Sequence, residues 1–179
     1  EEGLLGEEKG KKEGKKMAIR TIRTIGDPIL EKKSKPVKEM NERLLELIND
    51  MFDTMYEANG VGLAAPQVGI LKQIFVVDIG DGKRYVAINP EITPLGEEVQ
   101  TGEEGCLSVP GKEGVVTRPM KLSVKALDQN MQEYTLEASG FLARAFSHEN
   151  DHLRGVLYTE KVEGELEDIV YEELEEEEL

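Results

Sequence analysis

The sequence predicts an α+β fold, a mainly antiparallel sheet with one helix before it and one after, and three patterns carry that prediction. Leu44, Leu45, Ile48, Met51, Phe52 and Met55 recur at the 3.6-residue spacing of a helix. The runs QIFVVDI (73–79) and RYVAINP (84–90) are joined by Gly80, Asp81, Gly82 and Lys83, a hairpin signal. A second helical stripe runs through Phe141, Leu142, Ala145, His148, Glu149, His152 and Leu153.

Taken in order, residues 1–16 (EEGLLGEEKGKKEGKK) are charged, glycine-rich and without apolar period, so they read as a disordered lead before Met17. Asn41 is placed to cap the first helix and Gly60 to end it. A glycine-rich loop at 60–69 leads to the hairpin. Further strands are expected at 120–127 and 132–138, and the turn Asp128 to Met131 between them implies antiparallel neighbours. The second helix should begin near Ser139 and stop at Gly155. From Glu163 the chain places Leu166, Ile169, Val170 and Leu174 on a stripe among acids, which predicts a partly helical surface tail. The organisation expected is thus a lead at 1–16, one catalytic domain at 17–162 and an acidic tail at 163–179, and 179 residues suit one such domain.

The formal charge of −15 is unevenly spread. The lead holds five acids and five lysines, the tail from 163 holds ten acids and no base, and the residues between carry 22 acids against 17 bases. A mildly acidic body without a basic stripe argues against direct nucleic-acid binding, which rests on lysine and arginine neutralising phosphates. No apolar run of about 18 residues is present to cross a membrane, and no signal-peptide stretch opens the chain. The single cysteine excludes an internal disulfide and suits a reducing compartment. A cytoplasmic monomer is the expectation.

The segment HENDH carries the chemistry. His148 and His152 stand four residues apart, so on a helix both imidazoles leave one face and can hold one metal ion. Glu149 follows the first histidine, where it can take a proton from a water at the metal, the arrangement of HExxH hydrolases. These are the only histidines in the chain, so a third ligand must be another residue type. Cys106, in EEGCLSVPG between glycine and proline, is the candidate. A lone cysteine is ordinarily a small buried hydrophobe, but a histidine pair lacking its third ligand reverses that preference. In GVGLAAPQVG, Gly60, Gly62 and Ala65, with Asp78, formally match a dinucleotide fingerprint. That fingerprint needs a strand before it and a helix after it, whereas here a helix precedes and Pro66 and Gly69 follow. The small residues instead permit close backbone approach to a ligand, with Gln67 offering an amide donor to a developing oxyanion.

GVGLAAPQ, EGCLS and HENDH, in this order, resemble the three signature segments of the peptide deformylases, enzymes that remove the formyl group from new bacterial proteins. With GDPIL and INP, the resemblance extends from Met17 to about Val162. It implies that Cys106, His148 and His152 bind one divalent metal, natively Fe2+, with Zn2+, Ni2+ or Co2+ able to substitute. It implies that metal-bound water attacks the formyl carbon, with Glu149 as general base and then acid, and that the Gln67 amide and the Leu107 N–H hold the oxyanion. Substrates would be formyl-methionyl nascent peptides near the ribosome. Val61, Gly62 and Leu63 would bind the peptide, Gly62 pairing with its backbone. Phe141 and Ala145, on the helix face of His148, are expected to line the methionine pocket. Asp151 is placed to support a ligand through an ion pair with Arg118.

Two departures accompany the resemblance. Ser147 stands where many members carry glutamine or cysteine, and Glu113 where some have an arginine near the substrate, a role for which Lys112 is the substitute. Three other readings make distinct predictions. A zinc peptidase on the same helix would not need Cys106, a nucleotide-binding module needs a strand before Gly60, and a metal-binding scaffold would leave Glu149 idle.

Overall fold

The structure, a computed structural model, describes residues 18–170. The lead expected at 1–16, and Leu174 with the end of the expected tail helix, lie outside the described residues.

Helix α1 spans Glu42–Glu57, and Asn41, in extended conformation, caps it by accepting from the Leu44 N–H at 2.9 Å. The helix stops three residues short of Gly60, whose N–H still closes the end on the Met55 carbonyl at 2.9 Å. Ile48, Met51, Phe52 and Met55 of the expected stripe are buried, joined by Leu47, whereas Leu44 is half-buried and Leu45 is exposed. After it come β1 (Gly62–Ala64), a 3-10 turn at Ala65–Val68, β2 (Ile74–Val77) and β3 (Tyr85–Pro94). Strands β2 and β3 form the expected antiparallel hairpin. Strands β6 (Lys121–Leu127) and β7 (Glu133–Ser139) form the second expected pair, and helix α2 spans Phe141–Leu153.

These strands make a five-stranded antiparallel sheet in the order β1-β2-β3-β6-β7. Both of its faces are covered. Ile74, Val76, Val86 and Ile88 pack with α1, whereas Phe75, Val77, Ala87, Leu122 and Val124 pack with Ala143, Phe146 and Leu153 of α2. Burial on both sides is why β2 reads as the unbroken apolar run IFVV and not as an alternation.

Three features differ from expectation. The 60–69 segment is not simply a loop: it holds β1 and the 3-10 turn, which Gly69 ends in the left-handed region at φ 86°. The polar stretch before Cys106 is a strand, β4 (Val99–Cys106), paired with β5 (Val109–Pro119) through a turn at Leu107 and Ser108. The segment from Glu163 is not helical but strand β8 (Glu163–Asp168), antiparallel to β5, so the fold continues past the expected boundary at 162. The apolar spacing of the tail fits either period over so short a run, and a partner edge decided it. Strands β4, β5 and β8 form a separate sheet. Gly114 on β5 makes the pairing possible, because a Cβ there would lie 2.7 Å from both Val162 methyls and 3.2 Å from Leu166 Cδ2. No helix among the described residues is long and apolar enough to cross a membrane.

Candidate active site

Helix α2 and the end of β4 bring three donors together. His152 Nε2 lies 3.2 Å from His148 Nε2 and 3.3 Å from Cys106 Sγ. Two imidazoles bound to one ion at about 2.0–2.1 Å under tetrahedral angles would set their nitrogens about 3.3 Å apart, so the observed separation fits a shared cation. One thiolate and two imidazoles are a donor set for a first-row divalent metal. The electrostatics agree. Burial opposes protonation of His148, yet hydrogen bonds with Cys106 and Glu104 raise its pKa well above the ordinary histidine value, so a cation taken up at Nε2 would displace a proton held there. His152 is pushed the other way, by burial and then by His148, and stays neutral as a ligand must.

The opposite edge of His148 is fixed. Its Nδ1–H donates to Glu104 Oε1 at 2.5 Å, which leaves Nε2 as the donor atom facing Cys106 and His152. Glu104 is itself held by Arg118, through Nη2 at 2.5 Å and Nε at 3.1 Å, and by Arg144 Nη1 at 2.9 Å. Arg118 Nη1 donates to Asp151 Oδ2 at 2.6 Å, the ion pair expected from the sequence, and Asp151 also accepts from Arg154 and Lys161. Glu104, Arg118, Arg144 and Asp151 are all buried, so each charge is paired out of water.

Glu149 stands beside the donors, its Oε1 3.8 Å from His148 Nε2, and its Oε2 has no hydrogen-bond partner among the described residues. Burial first, with a contribution from the Glu104 charge and against the pull of His148, pushes its carboxyl up to about 7. A cation held by the neighbouring donors would draw it back toward the ionised form. Gln67 is 1% exposed; its Oε1 accepts from the Ala64 N–H at 2.9 Å, and its Nε2 donates to Ser108 Oγ at 3.0 Å and lies 3.6 Å from Cys106 Sγ. The amide therefore ties the 3-10 turn to the β4–β5 turn and presents its N–H groups beside the thiol.

A cavity of about 600 Å³ opens over these groups. Its lining brings together Val61, Gly62, Gln67, Cys106, Leu107, Phe141, Ala145, His148 and Glu149. Of the residues expected from sequence, Leu63 is fully buried in the core under α1 and its side chain is not part of the lining; His152 sits behind the other donors. Lys112 does line the cavity, but its ammonium is paired with Asp168. Sequence reasoning passed over Glu104, Arg144 and Ser108. In an acidic chain a Glu103–Glu104 pair looks like solvated surface, and only the burial of Glu104 inside β4 marks it.

An α+β scaffold that closes a Cys/His/His donor set and a buried carboxylate under one cleft defines a metal-dependent hydrolase. The comparisons narrow the class. A family model described as polypeptide deformylase matches residues 19–167, and the chain belongs to that family, whose members are metal-dependent and remove N-terminal formyl groups from nascent peptides. The chain is 56% identical over 160 residues to a peptide deformylase of Agathobacter rectalis, a match covering 89% of this chain and 100% of that one. It is 54% identical over 164 residues to one of Lachnoclostridium phytofermentans, covering 90% and 100%. The crystal structure of the peptide deformylase from Thermotoga maritima superposes with a TM-score of 0.79 at 42% identity, covering 82% of this chain and 99% of that one. That of a peptide deformylase from Synechococcus elongatus in complex with actinonin gives 0.77 at 42%, covering 80% and 78%. The strand that a nucleotide-binding module would need before Gly60 is absent among the described residues, where α1 precedes it instead.

Proposed function

We propose that Cys106, His148 and His152 hold one divalent metal, Fe2+ in the native protein, and that Glu149 moves the proton in hydrolysis of the formyl amide of formyl-methionyl peptides. The observation that carries this reading is a buried carboxylate with an oxygen, Glu149 Oε2, that has no partner among the described residues, beside three donors that all lie within 4.8 Å of one another. Bound there, a divalent cation supplies Lewis acidity and makes water a competent nucleophile near neutral pH.

The chain's own residues do the rest. Glu149 accepts the proton of the attacking water and returns it to the amine nitrogen as the formyl C–N bond breaks, so formate and a free amino terminus leave together. Gln67 Nε2, which lies 3.6 Å from Cys106 Sγ, and the N–H of Leu107, the next residue along, are the donors that would hold the negative charge gathering on the formyl oxygen. Strand β1 is an edge of its sheet, so the backbone at Val61, Gly62 and Leu63 can add the substrate as a further strand, Leu63 acting through its main chain alone. Phe141, half exposed, and Ala145 give the methionine side chain an apolar wall. The site is complete in one chain, so a monomer suffices, and nascent substrates place the protein at the ribosome in the cytoplasm.

The test is formate release from a short formyl-methionyl peptide by protein loaded anaerobically with iron(II), with Glu149→Ala in parallel. Release by the parent, and a loss of at least about 1,000-fold in the variant at unchanged metal content, is expected. Parent protein that binds one metal per chain and releases no formate overturns the assignment. Cys106→Ser should lose metal affinity, which a peptidase using only the HExxH helix would not show.

A further inference from the structure

The reaction proposed above uses the parts of the cavity lining that come from α2, β1, Gln67 and the end of β4, and leaves part of the lining without a role. Phe141, Ala145, His148 and Glu149 of α2 line it, and the part without a role is Pro110, Gly111 and Lys112 of β5 together with Ile169. At about 600 Å³ the space lies well within the range of about 300–1,000 Å³ that encloses ligands larger than a formyl-methionyl group.

Ile169 is brought to that part of the lining by specific pairing. It follows directly on β8, its N–H donates to the Gly111 carbonyl at 3.0 Å, and it is half-buried. Lys112 and Asp168 are register partners as well as an ion pair. The absence of a side chain at Gly114 lets Val162 and Leu166 close onto β5. Among the described residues Ile169 is the cavity's only contribution from beyond α2.

We infer that Ile169 is a specificity-determining residue, forming the apolar wall against which the side chains after the formyl-methionine lie. The inference rests on the deformylase reading and assigns a substrate role to the carboxyl-terminal strand. The catalytic groups all sit on β4, α2 and the 3-10 turn, so the effect belongs to binding of the longer substrate and not to bond breaking.

The experiment compares formyl-Met-Ala with formyl-Met-Ala-Leu-Val as substrates for the metal-loaded full chain. Ile169→Ala should raise KM for the longer peptide about fivefold, from the loss of partly buried methylenes, with kcat within about twofold and the shorter peptide unaffected. Ile169→Leu should keep parent values. Gly114→Ala, which pushes Val162 and Leu166 off β5, should reproduce the KM effect on the longer peptide, with the melting temperature recorded to confirm a folded protein. Turnover of both peptides with KM values unmoved in Ile169→Ala, or moved equally for both, overturns the inference alone. Absence of turnover of either peptide by the parent overturns the deformylase reading, and the inference falls with it.

Discussion

Gly62 and Glu149 show how tightly single residues are set in this site. A Cβ on Gly62 would stand 2.9 Å from Glu149 Oε1 and 3.0 Å from its Cδ, closer than such contacts are tolerated, so the glycine is what lets the carboxylate and the β1 edge share one space. Gly62→Ala is expected to lower kcat/KM about 100-fold by displacing the carboxylate, while metal content stays at one per chain; deformylation kinetics with metal analysis check this. Wild-type rates in that variant would mean that Glu149 is not held where the proton transfer needs it. At this scale the sequence was informative. His148, Glu149 and His152 are legible because helical spacing fixes which side chains share a face, and Cys106 because it is the chain's single thiol and there is no third histidine. Glu104 was illegible, since its role depends on being buried under Arg118 and Arg144 from two other elements.

Between elements, the buried charges do the joining. Glu104 on β4 binds Arg118 on β5 and Arg144 on α2, and Asp151 on α2 binds Arg118 in return, so the strand bearing Cys106 and the helix bearing both histidines are locked by the same four groups. Glu104→Gln should weaken metal affinity about 10–100-fold, because it replaces the carboxylate that orients His148 with a neutral, weaker amide acceptor. Glu104→Ala should also cost about 3–5 kcal/mol of stability by leaving two arginines buried without their partner. Metal titration and urea unfolding measure the two effects separately. An unchanged metal affinity in Glu104→Gln would show that helix packing alone orients the imidazole. The helices and two of the three hairpins, β2–β3 and β6–β7, were readable, since caps, turns and apolar periods are local. Strand β4 was not: VQTGEEGC carries few strand-forming residues, and it is extended because β5 pairs with it, an interaction that no local propensity announces.

Across the whole molecule, the charge network makes stability depend on acid. Burial alone would raise the Glu104 carboxyl, but hydrogen bonds from His148 and Arg118 outweigh it and hold the pKa at about 2, against 4.5 ordinarily. Asp151 is likewise lowered by Lys161 and Arg118 in spite of burial. Both folded-state values lie below the unfolded ones, so this stabilisation is fully present above about pH 4.5 and is lost as pH falls toward 2. The urea midpoint of metal-free protein should therefore drop through that window, and Glu104→Gln should flatten the decline. Parallel declines in the two proteins would place the acid sensitivity elsewhere.

By itself the sequence determined the α+β class, the two helices, the β2–β3 and β6–β7 hairpins and the sharing of one helix face by His148, Glu149 and His152, because each is written in spacing along one element. Only the tertiary structure decided that β8 pairs with β5 where a surface helix was expected, that Glu104 and not a solvated neighbour steadies His148, and that Ile169 reaches the cavity beside Cys106 and Glu149. Those depend on which distant edges and buried charges meet, and the free energy of such meetings belongs to the pair and not to either segment.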